Sequence, residues 1–331
     1  MHQSFFFVIM EENISLSIII PFYNVEMYIE HCLNSIVSQD VSSELFEIIA
    51  INDGSTDRSL EIAERIAKKH SNMRVVSQEN KGQSAARNHG VRLARGKYIW
   101  YVDSDDWIEE GCLKHIIPIL KDSDVDLFNF GHKNWFDGEI TITPHKPDQM
   151  GILCVGHFFK RSFLTSNEIW FVEGIYHEDL EYCPRVSYLA KKQQNLEISP
   201  YIVYKRPQST TTGYNPKKAF DLLVVARHLA EFTQKHKIKD AKFIYMIALA
   251  LNDSLQNVYM FKMDKQNEQK LNKAFYANRD LFIYLWLSNL LKYKIEFLVF
   301  TAFSKHCVQF FKLMKLFNFR DFSQYKQVNR H

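Results

Sequence analysis

Cysteine, glycine and proline are all scarce in this chain. Its 331 residues hold 5 cysteines, 11 glycines and 8 prolines. Cys32, Cys112, Cys154, Cys183 and Cys307 are odd in number, scattered, and never spaced as a metal-binding pair. That argues against a disulfide scaffold or a zinc module and fits reduced thiols acting as small core residues. So few glycines and prolines exclude a fibrous or loop-dominated chain. Long apolar runs are missing too: none without charge approaches the ~20 residues that cross a bilayer. The run Phe5–Met10 lacks the length, basic flank and cleavage site of a secretory signal. The expected location is therefore the cytoplasm, either free or at the inner face of the cell membrane. Nor does one sign of charge dominate: 41 Lys/Arg against 38 Asp/Glu leave +3, no electrostatic footprint for nucleic acid.

What is present is enough for a substantial core. Hydrophobic residues make up 46% of the chain, and the length allows one large domain with an appendage or two modest domains. Charge is placed unevenly. Residues 262–331 carry 13 Lys/Arg against 5 Asp/Glu, so the body ahead of them is mildly acidic.

Periodicity divides the chain. Leu16–Ile20 and Phe46–Ile51 are continuous apolar runs, as in strands buried on both faces of a parallel sheet. Asn24 is a candidate cap for a helix with Ile29, Cys32, Leu33, Ile36 and Val37 on one face. A second helix with Leu60, Ala63, Ile66 and Ala67 inward, a short strand at Val75-Val76 and a helix over Gln83–Arg95 ended by Gly96 follow. Tyr98–Val102 reads as a strand, Leu113–Leu120 as a helix and Val125–Phe130 as a strand. This alternation predicts an α/β doubly wound, mostly parallel sheet, whose ligands bind at the carboxyl ends of the strands. From about Asn215 the pattern turns helical, with amphipathic stretches at Ala219–Phe232 and Phe243–Phe261; Gly213 and Pro216 mark a boundary.

Three polar clusters fall on the carboxyl edge. Asp103-Ser104-Asp105-Asp106 places three carboxylates within four residues, which repel one another unless a cation neutralises them. Carboxylate oxygens are hard donors, so the cation would be Mg²⁺ or Mn²⁺. Asp53-Gly54-Ser55 is either a turn into a helix or a carboxylate that accepts from a nucleobase N–H or a ribose hydroxyl. The segment Asn80–Gly90 opens a helix with small residues and sets Arg87 one turn in; it is either a capped helix or an anion site. Downstream, His177-Glu178-Asp179 enters another helix. Its carboxylates serve either the helix dipole or a general base near a phosphate site.

These residues carry a resemblance. SIIIPFYNVEMYIEHCLNSIVSQ (17–39), EIIAINDGSTDRS (47–59), NKGQSAARNHG (80–90), GKYIWYVDSDDWI (96–108) and HED (177–179) are similar, in order and spacing, to the family 2 glycosyltransferases. Those are inverting enzymes of the glycosyltransferase A-type (GT-A) fold, a Rossmann-like mostly parallel sheet flanked by helices. The resemblance covers roughly residues 15–185. It implies that Pro21 and Tyr23 form a donor-nucleotide platform, that Asp53 contacts the base, usually uracil, and that Asn80 and Arg87 contact the nucleotide. Asp103 and Asp105 match the family's D-x-D, with Asp105 the direct metal ligand and Asp103 nearer the ribose and metal. Asp179 matches the catalytic base, with Glu178 in support. The implied partners are a nucleotide sugar, UDP-linked, and a saccharide or lipid-linked saccharide acceptor; the implied cofactor is Mn²⁺ or Mg²⁺. The reaction class is hexosyl or N-acetylhexosaminyl transfer in polysaccharide synthesis.

Two departures narrow the reading. The Gln-x-x-Arg-Trp motif of processive relatives is absent, which favours single addition. The metal-binding His some relatives place after the base is also absent from Tyr204–Ser209, leaving Lys205 or Arg206 to touch the diphosphate. The expected organisation is a catalytic domain over 1–213 and a helical C-terminal region over 214–331. In that region Ile295–Phe317 sets Leu298, Phe303, Phe310, Leu313 and Phe317 among lysines, and either packs on protein, a second subunit included, or rests on an anionic membrane. Two rivals remain. A haloacid-dehalogenase-like phosphatase would need its nucleophilic Asp on the first strand, which here ends in Pro-Phe-Tyr-Asn. A non-catalytic nucleotide-sugar binder would not need the carboxylates at 178 and 179.

Overall fold

The computed structural model describes residues 14–146, 151–205, 215–288 and 290–316. Phe5–Met10, Arg206, Gly213 and Phe317 lie outside them. The chain forms two compact units: Met1–Gly174 with Val186–Ser209, and Ile175–Arg185 with Thr210–His331.

The first unit runs β1 (Leu16–Phe22), α1 (Ile29–Val37), β2 (Phe46–Asn52), α2 (Ser59–Ala67), β3 (Met73–Ser77), α3 (Gln83–Leu93), β4 (Tyr98–Tyr101) and β5 (Trp107–Ile108). It continues through α4 (Cys112–Lys121), β6 (Leu127–Asn129), β7 (His132–Phe136), β8 (Glu139–Thr143), β9 (His157–Lys160) and α5 (Arg161–Ser166). Helix α6 (Glu178–Leu189) starts in the second unit, and β10 (Gln193–Asn195) and β11 (Tyr201–Tyr204) complete the first. Seven strands form one sheet in the order β10-β6-β9-β4-β1-β2-β3, with only β9 antiparallel to its neighbours. This is the α/β sheet expected from the sequence.

Strands β1 and β2 are buried at all seven of their positions, which is why their sequences run apolar without alternation. Each fully buried Ile or Leu there contributes about 1.5–3 kcal/mol. Register keeps the strands in step: Phe22 faces Asn52, and Leu16 faces both Phe46 and Tyr98. The carboxyl ends of β1, β2 and β4 therefore share one edge. At the opposite edge Glu47, 2% exposed, accepts from Ser17 Oγ at 2.7 Å and the Arg95 amide at 2.6 Å, and pairs with Arg74 and Arg95 at 3.3 Å. A buried carboxylate persists because each oxygen is occupied.

Several local expectations change. Asn24 does not cap α1, whose N-cap is Tyr28. Asn24 is left-handed (φ 50°) and its Oδ1 accepts the Thr56 amide at 2.8 Å, so the side chain joins two loops instead. Helix α3 stops at Leu93 with Ala94 extended, before Gly96. Gly96 is required for another reason: a Cβ there would lie 2.5 Å from the Ser17 backbone nitrogen. A second sheet, β5-β11-β7-β8, was not anticipated; β8 forms its outer edge with all five side chains exposed. All five cysteines are buried free thiols.

The second unit continues with α7 (Lys217–His236), α8 (Ala241–Met260), α9 (Lys265–Ala277), α10 (Ile283–Leu287), α11 (Leu291–Ala302) and α12 (Cys307–Leu316). Leu222, Leu229, Ile247, Leu251 and Leu255 are among its buried residues. Asp240 and Asp264 cap α8 and α9 by accepting the amides of Phe243 and Asn267 at 2.9 Å. Among the described residues no helix is long and apolar enough to cross a membrane.

Helix α3 lies flush on β1. A Cβ on Gly90 would sit 2.4 Å from Cγ2 of Ile19, a β-branched core residue. Alanine in an open helix stabilises by ~1 kcal/mol over glycine, but here the clash reverses the sign. Gly90→Ala should lose ~1–3 kcal/mol in denaturant unfolding. A gain in stability would show that the contact is loose.

Candidate functional site

The loops after β1 and β2 hold each other. The Asn24 amide donates to Ser55 Oγ at 3.1 Å, the Val25 amide to Ser59 Oγ at 2.8 Å and the Glu26 amide to Asp57 Oδ2 at 3.0 Å. Pro21 is buried within β1, whereas Tyr23 is exposed beyond its end.

Asp53, one residue past β2, is buried. Its Oδ1 accepts from Gln78 Nε2 at 2.8 Å and the Lys81 amide at 2.9 Å, and its Oδ2 from the Gly82 amide at 2.8 Å. The carboxylate thus shapes the loop that carries exposed Asn80 and opens α3. Gly82, the N-cap of α3, has φ 88°, a positive-φ backbone that glycine adopts without strain.

Helix α3 then reaches the acidic loop after β4. Arg87 is 1% exposed and its Nη2 bonds Asp103 Oδ1 at 2.8 Å, while Gln83 Nε2 donates to the same oxygen at 2.8 Å. The guanidinium carbon lies 5.1 Å from the Phe171 ring centroid and 6.0 Å from that of Tyr101. A buried charge requires such a partner. Asn88, also buried, donates to the Phe171 carbonyl and to Glu173 Oε1 at 3.0 Å each, and accepts the Phe171 amide at 2.9 Å. Asp53, Gln83, Arg87 and Asp103 are therefore one connected group at the carboxyl edge.

The three acidic side chains do not act alike. Asp103 and Asp105 are partly exposed, whereas Asp106 is buried. Asp106 Oδ2 accepts from the Tyr201 hydroxyl at 2.6 Å and its Oδ1 from the Tyr204 amide at 2.7 Å; the Asp103 amide donates to that same hydroxyl at 3.1 Å. Burial, with Asp103 and Asp105 adding to it, pushes Asp106 well above the usual carboxylate range despite these bonds. Burial and Asp106 likewise raise the Tyr201 hydroxyl. Of the three carboxylates expected to share a cation, Asp106 turns inward onto Tyr201 and Tyr204, while Asp103 and Asp105 stay partly exposed. Among the described residues no three His, Cys, Asp or Glu side chains converge to hold a metal by themselves.

Glu178 and Asp179 belong to the second unit, in the first turn of α6. The turn before them is tied down: the Tyr176 amide donates to Asp221 Oδ2 at 2.8 Å, and buried Asp221 also pairs with Lys217. His177 is left-handed (φ 62°), and the Leu180 amide donates to its carbonyl at 3.1 Å. Burial, then Lys218, pushes the His177 pKa down to about 4, with Asp221 opposing. Glu181, one turn on, pairs with Arg185 at 2.6 Å. Lys205 is exposed.

Sequence reasoning missed Gln83, Asn88, Tyr201 and Tyr204. A signal existed for one of them: Ser84, Arg87, Asn88 and Val91 share the buried face of α3, so polar residues at core spacing pointed to internal bonds. The two tyrosines lie about a hundred residues from their partners, with nothing local to reveal them. Tyr201→Phe should leave the Asp106 carboxyl and the Asp103 amide short of a partner and cost about 1–3 kcal/mol. Urea unfolding with an unchanged midpoint would show that the relay contributes nothing.

Residues 17–177 match the family described as Glycosyl transferase family 2. A Bacillus subtilis protein named "Uncharacterized glycosyltransferase EpsJ" is 32% identical over 217 residues, which cover 59% of this chain and 62% of that relative. The Bacillus spizizenii poly(ribitol-phosphate) beta-glucosyltransferase is 28% identical over 253 residues, covering 72% of this chain and 39% of the relative. The chain thus spans about three fifths or less of the length of these relatives. The crystal structure of S. aureus TarS 1-349 in complex with UDP-GlcNAc superposes with a TM-score of 0.71 at 21% identity, covering 89% of each chain. That likeness establishes the GT-A fold. The stretch that matches the glycosyl transferase family 2 description, residues 17–177, contains the connected edge of Asp53, Arg87 and Asp103.

Proposed function

We propose that this chain is an inverting, single-addition glycosyltransferase that moves a hexosyl or N-acetylhexosaminyl group from a UDP-linked donor to an acceptor hydroxyl. The observation that carries the reading is the buried Arg87–Asp103 pair, which ties the helix opened by Asp53 to the acidic loop. Residues 1–213 are the donor-binding catalytic region, and 214–331 serve acceptor or partner contacts. The acceptor is a saccharide or lipid-linked saccharide of a cell-surface polymer, used at the inner face of the membrane. The poly(ribitol-phosphate) beta-glucosyltransferase likeness and the UDP-GlcNAc bound by TarS support donor and polymer class.

Each residue has a distinct task. Tyr23 and Asn80, exposed beyond β1 and β3, receive the nucleotide with Pro21 beneath. Asp53 presents the loop at 78–82 to the base. Arg87, deeply buried, holds Asp103 and backs the nucleotide contacts from within α3. Asp103 and Asp105 offer hard carboxylate oxygens that fit Mg²⁺ or Mn²⁺, ions that leave positions for water and substrate phosphate. Such an ion, when bound, offsets charge growing on the leaving diphosphate. Asp179 takes the proton of the attacking hydroxyl, and Glu178 supports it. Lys205 completes the diphosphate contacts.

Release of nucleoside diphosphate and appearance of glycosylated acceptor, with Mn²⁺ supplied, test the assignment. Asp179→Asn should bind UDP as wild type yet lose transfer by ~10²–10⁴-fold; full transfer would remove Asp179 as the base. Asp105→Ala should lose the metal-dependent part of UDP binding, and retained affinity would refute its ligand role. A wild type that binds UDP-sugars but turns none over would be a binder only.

A further inference from the structure

The second unit carries apolar surface that the proposed chemistry does not use. Helices α10 and α11 pack side by side, with the Trp286 and Phe297 rings 5.5 Å apart. Where the two adjoin in the chain, Leu287, Leu290 and Leu291 are exposed, Leu291 by 74%. Leu298, two turns further along α11 on the same face as Leu291, is 59% exposed, and Trp286 is 42% exposed. Single leucines on a surface are ordinary, but a group of this size on neighbouring helices marks an interaction site.

Charge says what it meets. From Leu281 to Leu316 the sequence holds five lysines and one acid, Glu296. Glu296 is 6% exposed, so it contributes little negative surface. Lys292 is exposed beside Leu291, and Lys294 Nζ stands 5.1 Å over the Trp286 ring. Apolar face, tryptophan rim and lysine collar are the layers a protein presents to a lipid interface: leucines at the acyl boundary, tryptophan among headgroups, cations against anionic phosphates. A symmetric dimer through this patch would set the same lysines near one another.

We propose that the exposed face of α10 and α11 is a membrane-surface anchor, with Leu290, Leu291 and Leu298 entering an anionic leaflet and Trp286, Lys292 and Lys294 at headgroup level. This puts the lipid contact mainly ahead of the stretch 295–317 favoured by the sequence pattern. In that stretch Val308 and Phe311 are buried, and Phe303 stacks on Phe310 at 4.0 Å. The proposal does not depend on the transferase reading, since its test reads binding alone.

Flotation of the full chain with vesicles of phosphatidylcholine, with and without phosphatidylglycerol, tests it. Wild type should float with the anionic vesicles, and less so as salt rises. Leu291→Glu with Leu298→Glu should weaken partitioning by about tenfold or more, and Lys292→Glu with Lys294→Glu should abolish the preference for anionic lipid. All four positions lie outside the core, and unchanged melting of the variants confirms the fold. Wild type that stays with neither vesicle, or variants that float as wild type does, would overturn the anchor. So would a wild-type dimer in light scattering that Leu291→Glu dissolves, since the surface would then serve a second copy.

Discussion

The acidic loop is held where it is by the buried charge of Arg87, which pairs with Asp103. A guanidinium 1% exposed, between the rings of Tyr101 and Phe171, cannot be hydrated. Removing one partner from such a pair costs about 3–5 kcal/mol, so Asp103 is bound to the helix as firmly as to its own strand. The same helix is anchored at its start by Asp53 and pressed against β1 at Gly90. Three loops from three strands are thereby referred to one rigid body. Displacing any of them moves α3, which the packed sheet resists.

Asp106 shows how one of three neighbouring carboxylates is taken out of their mutual repulsion. One of them turns inward, accepts from a tyrosine hydroxyl and a backbone amide, and has its pKa raised by burial. The other two, Asp103 and Asp105, stay partly exposed. The inward acid couples the loop to β11, so the second sheet acts as the wall on which the acidic loop is hung.

Much of the first unit could be read from the chain. The runs at Leu16–Ile20 and Phe46–Ile51 announced buried parallel strands because both faces are covered, and the polar clusters that end them fall at one edge because parallel strands share direction. What could not be read is what depends on distant partners. β5, β10 and β11 are two to four residues long, too short for periodicity to register. Asn24 has the chemistry of a helix cap but found Thr56 across the neighbouring loop. Ile175–Arg185 groups with helices that follow it by dozens of residues, through bonds such as that from Tyr176 to Asp221. Residue type announced a carboxylate near position 179; only the fold names its supports.

The outer strand of the second sheet has a colloidal consequence. β8 presents Ile140 and Ile142, each more than half exposed, along an edge whose backbone pairs on one side with β7. Among the described residues that hairpin is a template on which another extended chain can be laid. Crowded refolding or storage at high concentration would therefore begin to form sheet-to-sheet clusters here, while the parallel core remains intact.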